Sequence, residues 1–367
     1  MTEEESIGFS APSGVFYNPA MRFCRSFASL ALGAIPEKKL RVCDAFCASG
    51  IRGIRYAREN RNVDDVTFLD IDKRAIASAK KNAKANKVKS SFMQGNISRL
   101  VFDICADFLE IDPFGSPAPY LYDSFRAFNP LKRAYLSVTA TDVAVLCGGK
   151  TKACLKNYHS VPLNNEFTHE TGMRIMIKKI AETAAEFNMG IEPLVSVSRQ
   201  HFLKTVVKVT RGAELANDSM TKLGYVNFCE SCGWRGSSQF PVSSCPNCSS
   251  RTQDTRHRTL FAGPLWLGEL HERKTLERMA DLNAKREYSD RDAIGKTLGR
   301  MQGEIGMPPF YYDIHQLCKL LNRKSVPKMD DVLSKMRKKG RAASRTHFSE
   351  TAIKTDATLK TLESVIS

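Results

Sequence analysis

The stretch from Arg41 to Asp70 limits what this chain can fold into more than any other. Arg41-Val42-Cys43-Asp44-Ala45-Phe46-Cys47-Ala48-Ser49-Gly50-Ile51-Arg52-Gly53 reads as a strand, a turn of small residues and the start of a helix. A second strand, Val66-Thr67-Phe68-Leu69, follows a helix-length later and ends in Asp70. Strands joined through a helix run parallel, and their crossover is right-handed. Small residues let the backbone approach a nucleotide-like ligand, while the helix N-terminus offers unpaired N–H groups. Asp70 then stands where a carboxylate can bind both hydroxyls of a ribose. Ala48 occupies a place where glycine is usual, leaving Gly50 and Gly53, so the spacing to Asp70 carries the expectation rather than the glycines alone. Capping the helix expected from Lys73 to Asn86 is the competing use of Asp70.

The alternation continues through the first 210 residues. A helix is expected near Tyr120–Ala127, then a β-rich run from Ala134 to Thr139. A long amphipathic helix from about His169 to Phe187 precedes strands at Glu192–Ser198 and Phe202–Val209, which lie too close in sequence to be anything but antiparallel. A parallel sheet finished by an antiparallel hairpin is the arrangement of class I, Rossmann-like methyltransferases rather than of dehydrogenases.

Phe108-Leu109-Glu110-Ile111 is a short, mostly apolar run closed by Asp112-Pro113-Phe114-Gly115-Ser116-Pro117. Turn chemistry alone makes this a strand end, with Asp112 as a cap and Phe114 in the core. The grouping also suits methyl transfer to a planar amine. The lone pair of an exocyclic amino nitrogen is delocalised into its ring, so it attacks a methyl sulfonium well only if acceptors hold its N–H groups in line. Asp112 and the Pro113 carbonyl can accept those hydrogen bonds, and Phe114 can stack on a base brought out of its helix.

Charge and cysteines extend the reading. Lys and Arg number 55 against 39 Asp and Glu, a formal charge of +16 that favours a polyanionic partner. No segment approaches the ~20 apolar residues of a membrane span. The acidic start, Met1-Thr2-Glu3-Glu4-Glu5, is unlike a signal peptide. With 11 cysteines, several lying singly in apolar segments, the chain reads as reduced, intracellular and cytoplasmic. Beyond Arg211, Cys229-x2-Cys232 and Cys245-x2-Cys248 have zinc-ribbon spacing, and four thiolates leave no ligand position for water, so the zinc expected there is structural. Lys319 to Arg345 carries ten Lys/Arg and two acids, Asp330 and Asp331, interleaved with apolar residues, as in helices with one basic face.

Taken in order, Phe16-Tyr17-Asn18-Pro19, Asp44 to Gly53, Asp112 to Pro117, Thr139-Ala140-Thr141-Asp142 leading to Cys147-Gly148, the four cysteines, and Ser344-Arg345-Thr346-His347-Phe348 with Lys354-Thr355-Asp356 resemble the tRNA (guanine-26-N2)-dimethyltransferase family in its compact archaeal form. The resemblance implies a class I S-adenosyl-L-methionine (SAM) domain over residues 1–215. It further implies an α+β tRNA-binding domain over 216–367 with the zinc ribbon at 226–252, tRNA as partner, and neither a membrane nor an obligate protein partner. The activity implied is mono- and dimethylation of a guanine exocyclic amine. By motif, Asp112 accepts from the amine beside Pro113, while Phe16 and Phe114 sandwich the base. Arg25 and Arg52 hold the methionine end of SAM, Asp44 and Gly50 belong to its loop, Asp70 with Ile71 takes the ribose, and Asn96-Ile97 takes the adenine. Two departures are specific: Cys24-Arg25-Ser26 stands where the family reads Asn-Arg-Asp, and Gly95-Asn96-Ile97 where Gly-Asp-Ala is usual. An RNA-binding zinc-ribbon protein with a vestigial cofactor fold, and a DNA amino-methyltransferase, remain the alternatives from other classes.

Overall fold

The computed structural model describes residues 2–128, 132–248 and 259–366; positions 249–252 of the expected ribbon lie outside the described residues. The strands of its main sheet are β1 (Leu40–Ala45), β2 (Val63–Asp70), β3 (Ser90–Gln94), β4 (Phe108–Ile111), β5 (Arg133–Ala140), β6 (Met189–Arg199) and β7 (Phe202–Arg211). Their spatial order is β3-β2-β1-β4-β5-β7-β6. Strands β1 to β5 are parallel, with Asp44 in register with both Phe68 and Glu110. Strand β7 runs antiparallel between β5 and β6, which is the expected hairpin. The reversal of strand order at β1/β4 opens a crevice at their carboxyl ends, where α/β sheets of this kind bind ligands.

Burial on both faces explains the apolar central strands: all four residues of β4, Glu110 included, are buried. At the start of helix Ile51–Glu59, Gly50 has φ +79°, and a Cβ there would sit 2.9 Å from that of Ala79. The following helix, Lys73–Ala85, is capped by Asp72, whose side chain accepts from Arg74 N. The cap that sequence alone offered to Asp70 therefore belongs to its neighbour.

Helix Thr168–Glu186 matches the expected span but not its expected amphipathic character, because it is buried on nearly all sides and takes Glu170, Arg174 and Lys178 into the interior. Each of these charges is paired: Arg174 and Lys354 with Glu170, and Lys178 with Glu182. After helix Ala213–Thr221, strand Leu223–Cys229 lies between Arg235–Ser238 and Thr259–Trp266 in a three-stranded antiparallel sheet. Helices Arg273–Lys285 and Arg291–Glu304 return to pack Leu276, Met279 and Ile294 in one apolar cluster with Phe27 and Leu30 of helix Arg22–Gly33. Helix Met329–Lys338, in the basic tail, buries Val332, Leu333 and Met336 and leaves Lys338 and Lys339 exposed. Among the described residues, no helix is long and apolar enough to cross a membrane.

Candidate active site

A cavity of about 590 Å³ opens at the carboxyl ends of β1, β2, β4 and β5. It brings together Phe16, Arg25, Asp44, Arg52, Asp70, Ile71, Asp112, Pro113 and Phe114. Gly50, Asn96 and Ile97 are not among its lining residues. Gly50 supports the loop from behind, Ile97 is in the core, and the Asn96 side chain accepts from Ser98 N to cap a single helical turn.

The nucleotide side is built from an unusual loop. Phe46 and Ala48 both take left-handed φ values, +71° and +47°, so alanine here adopts the conformation that a glycine would hold at no cost. Asp70 ties this loop to β2: Oδ2 accepts from Ala48 N at 2.9 Å and Oδ1 from Asp72 N at 2.9 Å. Asp44 Oδ2 accepts from Gly53 N at 3.0 Å. Burial raises the Asp44 carboxyl from 3.8 to about 7, with Arg52 pulling the other way.

Two buried arginines form the wall opposite. Arg25 donates through Nε to Glu4 Oε1 at 2.7 Å, through Nη2 to the second Glu4 oxygen, and to the Asn18 carbonyl at 3.1 Å. Its guanidinium also lies over the Tyr17 ring. Support for Arg25, flanked here by Cys24 and Ser26 where the family reads Asn and Asp, comes from Glu4, which also accepts from Arg55 at 2.8 Å. Burial would push the Glu4 carboxyl up, but Arg25 and Arg55 outweigh it and hold the group below its ordinary value. Arg52 Nη1 donates to Glu110 Oε1 at 3.3 Å, and Nη2 to Asp112 Oδ2.

The turn after β4 is clamped to the turn after β5. Gly115 N donates to Thr141 Oγ1 at 2.8 Å, and Thr141 N to the Gly115 carbonyl at 3.0 Å. Ser116 Oγ donates to the Tyr158 hydroxyl, which donates to Asp142 Oδ1 at 2.9 Å. These contacts fix Asp112 and Pro113 while Phe114 projects outward, 76% exposed, beside Phe16 at 50%. The two rings meet edge to face, with centroids 4.5 Å apart and planes at 83°. A base between two parallel faces needs ~7 Å, two contacts of ~3.5 Å, so the rings must separate and turn to admit one.

The four cysteine sulfurs lie within 4.8 Å of one another, with Cys229 to Cys248 at 3.9 Å and Cys232 to Cys245 at 3.7 Å, all as free thiols. A tetrahedron with Zn–S bonds of ~2.3 Å has S–S edges of ~3.8 Å, which these sulfurs fit.

His271, Glu304 and His347 form a second close group. Glu304 Oε1 already accepts from Thr346 Oγ1, His347 N and His347 Nδ1, and Lys354 Nζ stands 3.6 Å from Oε2. Ser196 N donates to His271 Nδ1 at 3.3 Å, which leaves the proton of that ring on Nε2 rather than a lone pair. With an ammonium in place and one imidazole turned the wrong way, this group is a clasp between distant segments, not a cation site. It also gives Thr346, His347 and Lys354 a buried role.

Sequence reasoning missed Glu4, which it saw only as part of an acidic start, and the lining residues Tyr17 and His201. It also missed Lys204, which the sequence of β7 does not set apart from Lys208, although only Lys204 is buried.

A model of the family described as N2,N2-dimethylguanosine tRNA methyltransferase matches residues 1–367. The tRNA (guanine(26)-N(2))-dimethyltransferase of Methanothermobacter thermautotrophicus is 35% identical over 372 residues, covering 98% of this chain and 94% of that protein. The enzyme of the same name from Methanobrevibacter smithii is 32% identical over 378 residues, covering 99% and 93%. Among solved structures, Trm1 from Pyrococcus horikoshii in complex with S-adenosyl-L-methionine is similar with a TM-score of 0.89 and 30% identity, covering 100% of this chain and 99% of that one.

Proposed function

The chain belongs to the N2,N2-dimethylguanosine tRNA methyltransferase family and is a SAM-dependent methyltransferase of tRNA guanine N2; from that premise we propose that Asp112 is its catalytic acceptor and that the target is guanine 26, methylated twice. The observation carrying this reading is the placement of Asp112, Pro113 and Phe114 on the cavity wall, on a turn clamped through Thr141 and Tyr158. SAM, when bound, supplies a methyl group on a sulfonium. Asp44, Asp70, Ile71 and the Phe46–Gly50 loop hold its nucleoside, with Asn96 and Ile97 beyond the cavity wall on the adenine side. Arg25 and Arg52 face its carboxylate.

Asp112 Oδ2 is committed to Arg52, so the amine is received by Oδ1 and by the Pro113 carbonyl. As the nitrogen forms its fourth bond, positive charge grows there; the fixed carboxylate offsets it and takes up the N–H proton that the nitrogen then sheds, leaving a neutral methylated amine. A second round needs the pocket to admit N2-methylguanine, whose single remaining N–H still finds Asp112. Phe16 and Phe114 part to take the flipped base between them. Cys229, Cys232, Cys245 and Cys248 hold a structural zinc. The division of labour falls at 215/216: residues 1–215 transfer the methyl group, and 216–367 dock tRNA.

Asp112→Asn keeps the shape and loses the charge, so kcat should fall ~10²-fold or more while SAM affinity barely moves. Nucleoside mass spectrometry of a tRNA transcript incubated with SAM, alongside calorimetry, measures both. A variant keeping half its activity would overturn the assignment.

A further inference from the structure

Beneath Asp112 lies a buried charge network that touches nothing in the cavity except through one residue. Glu110, two positions earlier on β4, is completely buried. It receives three donors: Lys204 Nζ to Oε1 at 2.6 Å, the Tyr56 hydroxyl to Oε2 at 2.6 Å, and Arg52 Nη1 to Oε1 at 3.3 Å. Lys204, on β7 and itself buried, also donates to Thr139 Oγ1 at 3.0 Å. Neither Glu110 nor Lys204 lines the cavity, whereas Arg52 and Asp112 do. Burying an acid and an ammonium in the middle of an apolar sheet is a poor way to stabilise it, since hydrocarbon side chains of similar volume commonly do as well or better. What the pair does accomplish is local. Lys204 and Tyr56 satisfy Glu110 from two sides, so Arg52 is not drawn wholly onto it and spans to Asp112.

Resting on the reading of Asp112 as acceptor, we propose that Glu110 and Lys204 are positioning residues for methyl transfer: they fix the Arg52 guanidinium between two carboxylates, and Arg52 in turn fixes the orientation of Asp112. Removing the pair leaves Arg52 with one carboxylate and free to swing, and Asp112 with it. The cost falls on the step that needs the amine held in line and, because Arg52 also faces the SAM carboxylate, to a lesser degree on SAM affinity, but not on affinity for tRNA.

The test is the double variant Glu110→Gln/Lys204→Met, which removes one charge of each sign and nearly preserves volume. Its single-turnover methylation rate, measured with SAM and tRNA both saturating so that any weakening of SAM binding does not enter, should fall ~10- to 100-fold, the range typical of groups that orient a contact residue, with the tRNA dissociation constant within about threefold of wild type. Its melting temperature should be unchanged or higher. A rate within about twofold of wild type overturns the proposal. Should the double variant fold poorly, Lys204→Arg and Lys204→Gln decide: the arginine keeps the cation on Glu110 and should retain most of the rate, the glutamine should lose it, and equal rates overturn the proposal. Asp112→Asn in the same assay separates the two claims. If Asp112→Asn is inactive while the double variant equals wild type, only the positioning role fails; if Asp112→Asn stays active, the acceptor reading fails first.

Discussion

The cysteine cluster gathers its sulfurs from one short stretch, Cys229 to Cys248, whereas the cavity draws its lining from Gly14 to His201 and its buried support from Glu4 to Lys204. The first needs only two knuckles, one of them turned by Gly233 at φ +76°, to bring strong ligands together. The second exists only after seven strands have been ordered. A locally built site should fail locally, and a distributed one should fail when residues far from it in sequence are changed.

The strongest way to break that contrast is Glu4→Ala. It takes from buried Arg25 its carboxylate and leaves Arg55 with Glu59 alone, and losing one partner of a buried ion pair costs ~3–5 kcal/mol. The melting temperature and SAM affinity should both drop while zinc content stays normal; an unchanged melting temperature would show that Glu4 is dispensable to the cavity. Because the folded-state pKa of Glu4 is depressed, its stabilisation is present above the ordinary carboxylate value of 4.5 and is lost as pH falls through the lower folded value. Wild type should therefore lose stability in acid more steeply than Glu4→Gln, which thermal melts at successively lower pH from 4.5 downward would reveal.

Next in size is Phe114→Ala. A stacking partner is worth ~1–3 kcal/mol, read as a loss in kcat/KM on tRNA, and a ring so exposed should leave the melting temperature alone. A lower melting temperature with normal methylation by the folded fraction would make Phe114 a packing residue instead. Cys245→Ser tests the other region: zinc content should fall and tRNA binding should weaken about tenfold, ~1.4 kcal/mol, with SAM affinity near normal. Loss of SAM binding would mean that the two regions do not fail separately. Smallest per residue is the reversal of Lys338 and Lys339 to Glu, which should weaken all tRNAs alike and reduce the salt slope by about one unit per lysine. Titrations at several salt concentrations measure it, and an unaltered slope would remove this helix end from the RNA path.

What the sequence disclosed follows the same contrast. Cysteine spacing is self-contained, and Asp44, Asp70 and Asp112 each sit at or near a strand's carboxyl end, where position alone assigns a use. Glu4 and Lys204 were opaque because their partners lie 21 and 94 residues away, and no local period encodes such a pairing. The Phe16–Phe114 geometry was equally hidden: the family resemblance implies both rings at one base, but only packing sets their planes at 83°. Helix Thr168–Glu186 misled because its charged residues look solvated until Lys354 is placed against Glu170.

That last contact bears on how the protein is made. Lys354 Nζ is the ammonium between Glu170 and Glu304, 2.7 and 3.6 Å away. On the ribosome, residues 1–215 can emerge and begin to fold while this lysine is still untranslated, since domains form from the N-terminus as synthesis proceeds. Until Lys354 leaves the exit tunnel, the helix Thr168–Glu186 carries a buried carboxylate, Glu170, that has only Arg174 to balance it, and the helix ending at Glu304 also awaits that lysine. The segment carrying Lys354 thus balances both carboxylates in one docking event, so the helices that hold Glu170 and Glu304 close on each other only once that segment has been made.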